Sequence, residues 1–457
     1  MEVSQGNRED PRSQRLSQGH ALLEAGDANG AAKVFSGLLD EDFNDPKVVY
    51  LLGVCLMRQE KFGAAYNLFM RSIAISPLKS EPWNNAAMCH QETWNLDDAE
   101  KCLKRALQLD PRNQAAMNNM ALVYINRCQP EEAVKWLAKS ETVGELNIEG
   151  MDNLAIALLM KRDWSGWGIY RQTAGFQKQR GLKKYANPEE PDWNGEPGRV
   201  VLYATQGIGD EIAFASCIPD AMEKAEVVLD CDPRLYGLFK RSFPKATVYG
   251  TRFKEELPNL GRVDYSLQFD GLPSLFRTRA EDIPGTPYLI PDPERRIQWR
   301  ALLEGRKPAI GIAWNGGLVT TRSRQRSIAL ADLAPVLKSV DATWVSLEYK
   351  DRTEEIESFH RDHGIRIHHW ERATETLDYD DTAGLVAELD LVISVCTAVV
   401  HLSGAIGKEC WCLTPSKPRW WYGLEGDLPW YKSVKMFRQK QQWPLDDIVR
   451  LLKLRFG

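Results

Sequence analysis

Ala31-Ala-Lys-Val-Phe35, Ala65-Tyr-Asn-Leu-Phe69, Ala99-Glu-Lys-Cys-Leu103 and Ala133-Val-Lys-Trp-Leu137 are one pattern written four times, each copy 34 residues after the last. A second small residue precedes each copy in the same step: Gly19, Gly53, Ala87 and Ala121. Small residues at two fixed places and a large one at a third suit a pair of packed helices. The small side chains let the helices approach, and the large one fills the next layer. Pro77 and Pro111 keep the same interval and fall where the second helix should stop, so their missing N–H breaks no helical bond. The pattern predicts a stack of helix pairs over the first third of the 457 residues.

This period resembles that of tetratricopeptide repeats. The resemblance implies an α-solenoid whose groove selects a protein or peptide partner. The repeats are expected over residues 12–185: a short divergent opening unit, three clear units and a divergent capping unit after Met151. In that last unit Ala155 keeps the step, but Trp167 and Arg171 replace the signature residues, as a terminal cap requires. Residues 1–11 read as a flexible N-terminus. Asn187-Pro-Glu-Glu-Pro-Asp-Trp-Asn-Gly-Glu-Pro-Gly198 reads as a linker, rich in breakers of regular structure.

Length alone asks for two or three domains. A net charge of −5 opposes a duplex-binding surface, so no nucleic-acid partner is expected. The polar start of the chain does not read as a secretory signal, and the longest apolar runs, such as Leu391 to Val400, are too short to span a bilayer. Nine scattered cysteines suggest reduced, buried thiols. These features together predict a cytoplasmic chain without stable membrane insertion.

After the linker the pattern becomes short apolar strands alternating with helices. Val200–Ala204 and Val227–Asp230 are strand-like, with helices expected over Glu211–Lys224 and Pro233–Phe243. The alternation breaks over Pro284–Lys307 and restarts with Ala309–Trp314, Thr343–Leu347, Leu391–Val395 and Cys410–Thr414. Two parallel α/β lobes are predicted, 186–290 and 291–457, with ligands at the carboxyl ends of the strands. The fold class is thus α plus α/β, a solenoid followed by twin Rossmann-like lobes.

Three corners carry residues suited to chemistry. In Thr205-Gln-Gly-Ile-Gly-Asp-Glu-Ile212, Gly207 and Gly209 allow a tight turn, and Asp210 either caps the following helix or faces a ligand. Ile212 occupies the third glycine of a dinucleotide fingerprint, which disfavours that reading. In Ser394-Val-Cys-Thr-Ala-Val-Val-His401, Thr397 and the helix N-terminus form a possible anion site. His401 lies one turn on, as a ligand contact or a core residue. Thr320-Thr-Arg-Ser-Arg-Gln-Arg-Ser327 is either a phosphate-binding loop or a solvated basic one. His360, His363, His368 and His369 fit a metal cluster poorly, and Trp420, Trp421, Tyr422, Trp430 and Tyr431 read either as lobe packing or as a sugar-stacking wall.

The ordered set Gln206–Asp210, Arg326–Leu330, Asp381–Ala383, Leu389–Gly407, Pro429–Tyr431 and Phe437–Gln439 resembles the lipopolysaccharide heptosyltransferases of glycosyltransferase family 9. With the repeats, the whole is similar to bacterial tetratricopeptide-containing glycosyltransferases, with a more distant analogy to protein O-GlcNAc transferase. The resemblance implies a GT-B fold, a nucleotide-sugar donor and inverting transfer to a protein or peptide acceptor. It gives Asp210 the role of general base. The donor would be held by Gln206, Gly207, Gly209, Arg324, Arg326, Glu348, Thr397, Ala398 and His401. Glu348 would take the ribose hydroxyls, and no metal or cofactor would be needed. The chain has Cys396 where the family commonly has Asp. A catalytically silent adaptor built on the same fold is the alternative.

Overall fold

Helices α1 (Pro11–Glu24) to α8 (Pro130–Glu141) pack as consecutive pairs: α1 with α2 (Ala28–Glu41), α3 (Pro46–Arg58) with α4 (Phe62–Ile75), α5 (Ser80–Glu92) with α6 (Leu96–Leu109), and α7 (Gln114–Asn126) with α8. A further helix, α9 (Ile148–Met160), follows in the same step. They are seen in a computed structural model that describes residues 10–173, 191–252, 260–305, 308–317, 323–375 and 377–457. The chain divides into two units, Met1–Ala157 and Leu158–Gly457.

The repeat residues sit where their sizes require. Ala31, Ala65, Ala99 and Ala133 are fully buried, as are Phe35, Phe69, Leu103 and Leu137. A Cβ added to Gly19 would lie 2.4 Å from the Phe35 ring, and one on Gly53 would lie 2.7 Å from the Phe69 ring. The two repeats with phenylalanine have glycine opposite, and the two with leucine have Ala87 or Ala121. Every pair turns through one left-handed residue at the same step: Gly26, Glu60, Trp94, Cys128 and Arg162 all have positive φ. Only the first is glycine; at the other four the next residue's N–H closes back onto the helix, as Lys61 does to Leu56 O and Asn95 to His90 O, in a conformation their Cβ disfavours. Successive pairs are tied by polar contacts one repeat apart. Asn85 Nδ2 donates to the Tyr50 hydroxyl (3.0 Å) and Asn119 Nδ2 to Asn84 Oδ1 (2.9 Å).

Among the described residues the second unit holds two parallel sheets. The first has the order β3-β2-β1-β4, with β1 Arg199–Tyr203, β2 Glu226–Asp230, β3 Thr247–Tyr249 and β4 Tyr265–Gln268. The second has the order β10-β9-β8-β5-β6-β7, from β5 Ala309–Ala313 and β6 Thr343–Ser346 through β7 Ile367–His368 and β8 Leu391–Val395 to β9 Cys410–Thr414 and β10 Val434–Arg438. Every pairing is parallel, and each sheet starts from a central strand and winds outward. Strands β3, β4, β7 and β10 are short or polar, and the sequence pattern did not single them out. The helix expected over Glu211–Lys224 is interrupted. It runs Ile208–Phe214, passes through a tighter turn, and resumes at Ile218–Lys224 with Pro219 in its first turn.

Two boundaries differ from expectation. The segment read as a capping repeat crosses into the second unit, which begins at Leu158. Trp167 takes the repeat's alanine position, where an indole cannot fit between paired helices. It is 1% exposed and packs edge-on against Phe214, Trp420, Trp421 and Trp430. The expected linker is also partly structured. Trp193 is fully buried, its backbone N–H donates to Ser266 O, and Asp192 bridges to β4. The remainder of the capping and linker segment, 174–190, lies outside the described residues.

Candidate functional site

The carboxyl ends of β1 and β8 each turn into a helix, and these two corners meet. A Cβ on Gly209 would lie 3.2 Å from Ala398 Cα and 3.3 Å from His401 Cδ2, so glycine is what permits the approach. Gly207 is the N-cap of the first corner helix, and Asp210 sits at its third position. Its carboxylate takes the Gly207 N–H, which is the capping role, and it also takes a hydrogen bond from Trp421. Burial pushes Asp210 up from the ordinary carboxylate value, while the charge of Arg419, these two hydrogen bonds and the charge of Arg326 pull it down. The net direction is upward, toward a carboxylate that accepts a proton more readily.

Opposite lies Arg326, 9% exposed, with Nη1 donating to Cys396 O at 3.0 Å. A Cβ on Gly316 would fall 2.5 Å from Arg326 Cβ, so the Gly316 backbone forms the arginine's seat. Ser327 Oγ fixes that seat by accepting the Gly316 N–H. Burial lowers the guanidinium from its usual value without removing its charge. Thr397 caps the second corner helix, its Oγ1 accepting the Val399 N–H, and Thr397 and Ala398 stay half-exposed. The other arginines expected beside Arg326 are not placed here: residues 318–322 lie outside the described residues, and so does the side chain of Arg324.

Two expected donor contacts, Glu348 and His401, are committed to the protein itself, and so is the Cys396 side chain. Glu348 is 2% exposed, and its Oε1 accepts both the Trp314 N–H (2.7 Å) and the Asn315 N–H (2.9 Å). It therefore braces the loop after β5 instead of offering that oxygen to ribose hydroxyls, because two backbone donors at a strand end would otherwise be stranded. His401 is 4% exposed, with Nδ1 3.2 Å from the Tyr431 hydroxyl and Nε2 3.2 Å from the Tyr422 hydroxyl. Burial pushes its pKa down to about 4, so it is a neutral member of the core and not a cation for phosphate. The chain of hydroxyls fixes its tautomer. Tyr288 donates to Ile212 O, leaving its oxygen to accept from Tyr431, whose oxygen then accepts from His401 Nδ1–H. Cys396 is fully buried with Sγ 3.8 Å from Cys412 Sγ, so its side chain points into the sheet and its carbonyl meets Arg326.

Other parts of the resemblance set are structural. Arg295 pairs with Asp381, and Thr382 Oγ1 bonds Ala373 O. Arg438 binds the carbonyls of Tyr422 (2.8 Å), Gly423 (2.9 Å) and Gly426 (2.8 Å), and so clamps the loop that carries Arg419 and Trp421. Arg419 and the buried Asp270, which accepts from Gln206 Nε2 at 3.1 Å, were not singled out from the sequence, whereas Trp421, which donates to Asp210, was read there as lobe packing or a sugar-stacking wall. Nothing in the spacing of the first two announces them; the aromatic run 420–422 was the nearest signal. Trp164, Trp420, Trp421 and Trp430, with Arg162, line a small pocket. Among the described residues no group of His, Cys, Asp or Glu is placed to hold a metal ion, and no helix is long and apolar enough to cross a membrane.

Residues 16–78 and 95–140 match family models of the tetratricopeptide repeat. Both segments fall in the solenoid, whose repeats point to a protein partner. Protein FlbA of Caulobacter vibrioides is 35% identical over 271 residues, covering 54% of this chain and 45% of that protein. The chain therefore spans less than half the length of this relative. A thermophilic TPR protein of Thermus thermophilus aligns with 36% of this chain and 92% of its own at 18% identity and a TM-score of 0.33. Pseudomonas aeruginosa pilF aligns with 39% of this chain and 82% of its own at 20% identity and a TM-score of 0.34.

Proposed function

We propose that the chain is a glycosyltransferase of GT-B architecture that moves a sugar from a nucleotide-sugar to a protein or peptide chosen by its repeats. The observation that carries this reading is the meeting of the Asp210 corner with the helix N-terminus at Ala398, where Arg326 is anchored on Cys396 O and the charges of Arg326 and Arg419 act on Asp210. In an inverting transfer, Asp210 takes the proton of the acceptor hydroxyl as its oxygen bonds to the anomeric carbon. The anomeric carbon–phosphate oxygen bond breaks, and the electron pair leaves on the diphosphate, where Arg326, Arg419 and the helix N-terminus at Ala398 meet the charge.

Calorimetry of the purified chain against ADP-, UDP-, GDP- and CMP-sugars tests the donor site. Arg326→Ala should weaken the bound donor by about 1.5–3 kcal/mol, the worth of a charge-assisted phosphate contact. Asp210→Asn should leave donor affinity intact and abolish transfer. Unchanged affinity in the first variant, or retained turnover in the second, removes the corresponding role.

A second reading, a catalytically silent adaptor, is favoured by the commitment of Glu348, His401 and the Cys396 side chain to internal contacts. Binding of none of the four donor classes would select it.

A further inference from the structure

One loop of the second unit touches both corners. Residues 419–427 run from Arg419 through the turn Trp420–Tyr422 to Asp427. Trp421 packs on Phe214, at the end of the helix that carries Asp210, with ring centroids 4.7 Å apart. The next residue, Tyr422, reaches the other corner. Its hydroxyl lies 3.2 Å from Nε2 of His401, on the helix that Thr397 caps. Two adjacent side chains therefore bridge the Asp210 and Thr397 corners.

Burial does not hold the rest of this loop, since Glu425, Gly426 and Asp427 are exposed. Gly423 and Gly426 take positive φ, 58° and 61°, a conformation that glycine adopts at little steric cost. Two arginines gather the loop's carbonyls instead. Arg438, on β10, donates to the oxygens of Tyr422, Gly423 and Gly426. Arg162, in the segment that follows α9, donates through Nη2 to Glu425 O and Asp427 O, both at 2.6 Å. The two guanidiniums even share Glu425 O, which lies 3.3 Å from Arg438 Nη2. Like charges repel at such a place, so the loop is gathered against a cost. The segment that carries Arg162 also sends Trp167 to the turn, with its ring 5.8 Å from that of Trp421 and 6.0 Å from that of Phe214. Arg438 ties the loop to the strand beside it. Arg162, 263 residues before Glu425, fixes it from a distant part of the chain.

We propose that Arg162 is a positioning residue for the site: by gathering the Glu425 and Asp427 carbonyls it holds the 419–427 loop in place, so that Trp421 and Tyr422 brace the Asp210 and Thr397 corners at one separation. The role rests on the reading of those corners as the transfer site. Arg162 acts through the loop alone, and its loss should reach the corners without unfolding either sheet.

The test uses the full chain with Arg162→Ala, Arg162→Met and Arg162→Lys. Amide hydrogen exchange reads the loop, and the nitrogen NMR signal of His401, assigned by its disappearance in His401→Gln, reads the second corner. In Arg162→Ala the amides of 420–427 should exchange about tenfold faster while those of β1 and β8 keep their rates. The His401 Nε2 signal should move downfield as the Tyr422 hydroxyl withdraws. Arg162→Lys, which keeps a cationic donor, should restore part of both. An Nε2 signal unmoved in folded Arg162→Ala overturns the proposal, even if the loop exchanges faster, because the arginine would then only cover the loop. If Arg162→Ala does not fold, Arg162→Met, which keeps the aliphatic stem, decides by the same signal. Calorimetry with ADP-, UDP-, GDP- and CMP-sugars is read separately. Where the unmodified chain binds a donor, Arg162→Ala should weaken it roughly tenfold, because Arg419 opens the same loop. Binding of no donor by the unmodified chain overturns the transferase reading and leaves the His401 signal to decide the brace.

Discussion

His401 shows how a single side chain acquires its chemistry from its surroundings. An imidazole on the first turns of a helix facing a ligand would be a natural phosphate contact, yet two tyrosine hydroxyls occupy both of its nitrogens. Its pKa is lowered from 6.5 to about 4, so the folded state resists protonation. Such a group gives stability that is fully present above pH 6.5 and is lost as pH falls through the folded value near 4. The shift corresponds to about 3 kcal/mol in that window. His401→Gln should therefore flatten the acid limb of stability between those values in denaturant titrations, and nitrogen NMR should report the Nδ1–H tautomer at neutral pH. A protonated or Nε2–H ring would refute the hydroxyl chain. Cys396 and Glu348 teach the same lesson: spacing sets each near a strand end, but which way each side chain turns was not in the spacing.

Among the helices, the repeat is a compact statement of size matching. Glycine faces phenylalanine in the first two helix pairs, and alanine faces leucine in the next two. Gly53→Ala should thus destabilise the first unit by roughly 1–3 kcal/mol, although alanine is the better helix former by about 1 kcal/mol. Adding Phe69→Leu should recover most of the loss, because it recreates the combination at Ala87 and Leu103. The check is a double-mutant cycle, and additive single effects would refute the pairing. The helices were legible because their period is long and repeated, and the strands β1, β5, β8 and β9 because they are buried apolar runs. Strands β3 and β7 span three and two residues, too few for a pattern to emerge. They exist because a neighbouring strand already offers its edge.

Across the whole second unit, the two sheets are joined by an ionic seam as well as by the touching corners. Arg241, on the helix Tyr236–Ser242 of the first sheet's layer, binds both oxygens of Asp380 at 2.8 and 3.0 Å and also Asp292. Asp380 is 3% exposed and opens the helix Tyr379–Glu388 beside the second sheet. Gly237 makes the approach possible, since a Cβ there would lie 2.6 Å from Asp380 Oδ2. Arg241→Ala should cost roughly 3–5 kcal/mol by stranding a buried carboxylate, and the double variant Arg241→Met, Asp380→Leu should cost much less. Equal losses in the two variants, measured by chemical denaturation, would mean that the pair itself and not the stranded charge carries the effect.

The linear pattern of residues was enough for the helix-pair stack, the parallel alternation that follows it, and the two strand-to-helix corners at which Asp210 and Thr397 stand. These are local facts, set by periodicity, helix capping and the need of a tight turn for glycine. Which residues share the site was settled by the packing of distant segments. Arg419 and Trp421 act on Asp210 from a distant loop, Asp270 meets Gln206 from beyond a neighbouring strand, Trp167 leaves the repeat pattern for an aromatic core, and His401 turns inward. Spacing along the chain fixes which face of a helix or strand a side chain occupies, whereas burial, charge and hydrogen-bond partners come from whatever the fold brings against that face.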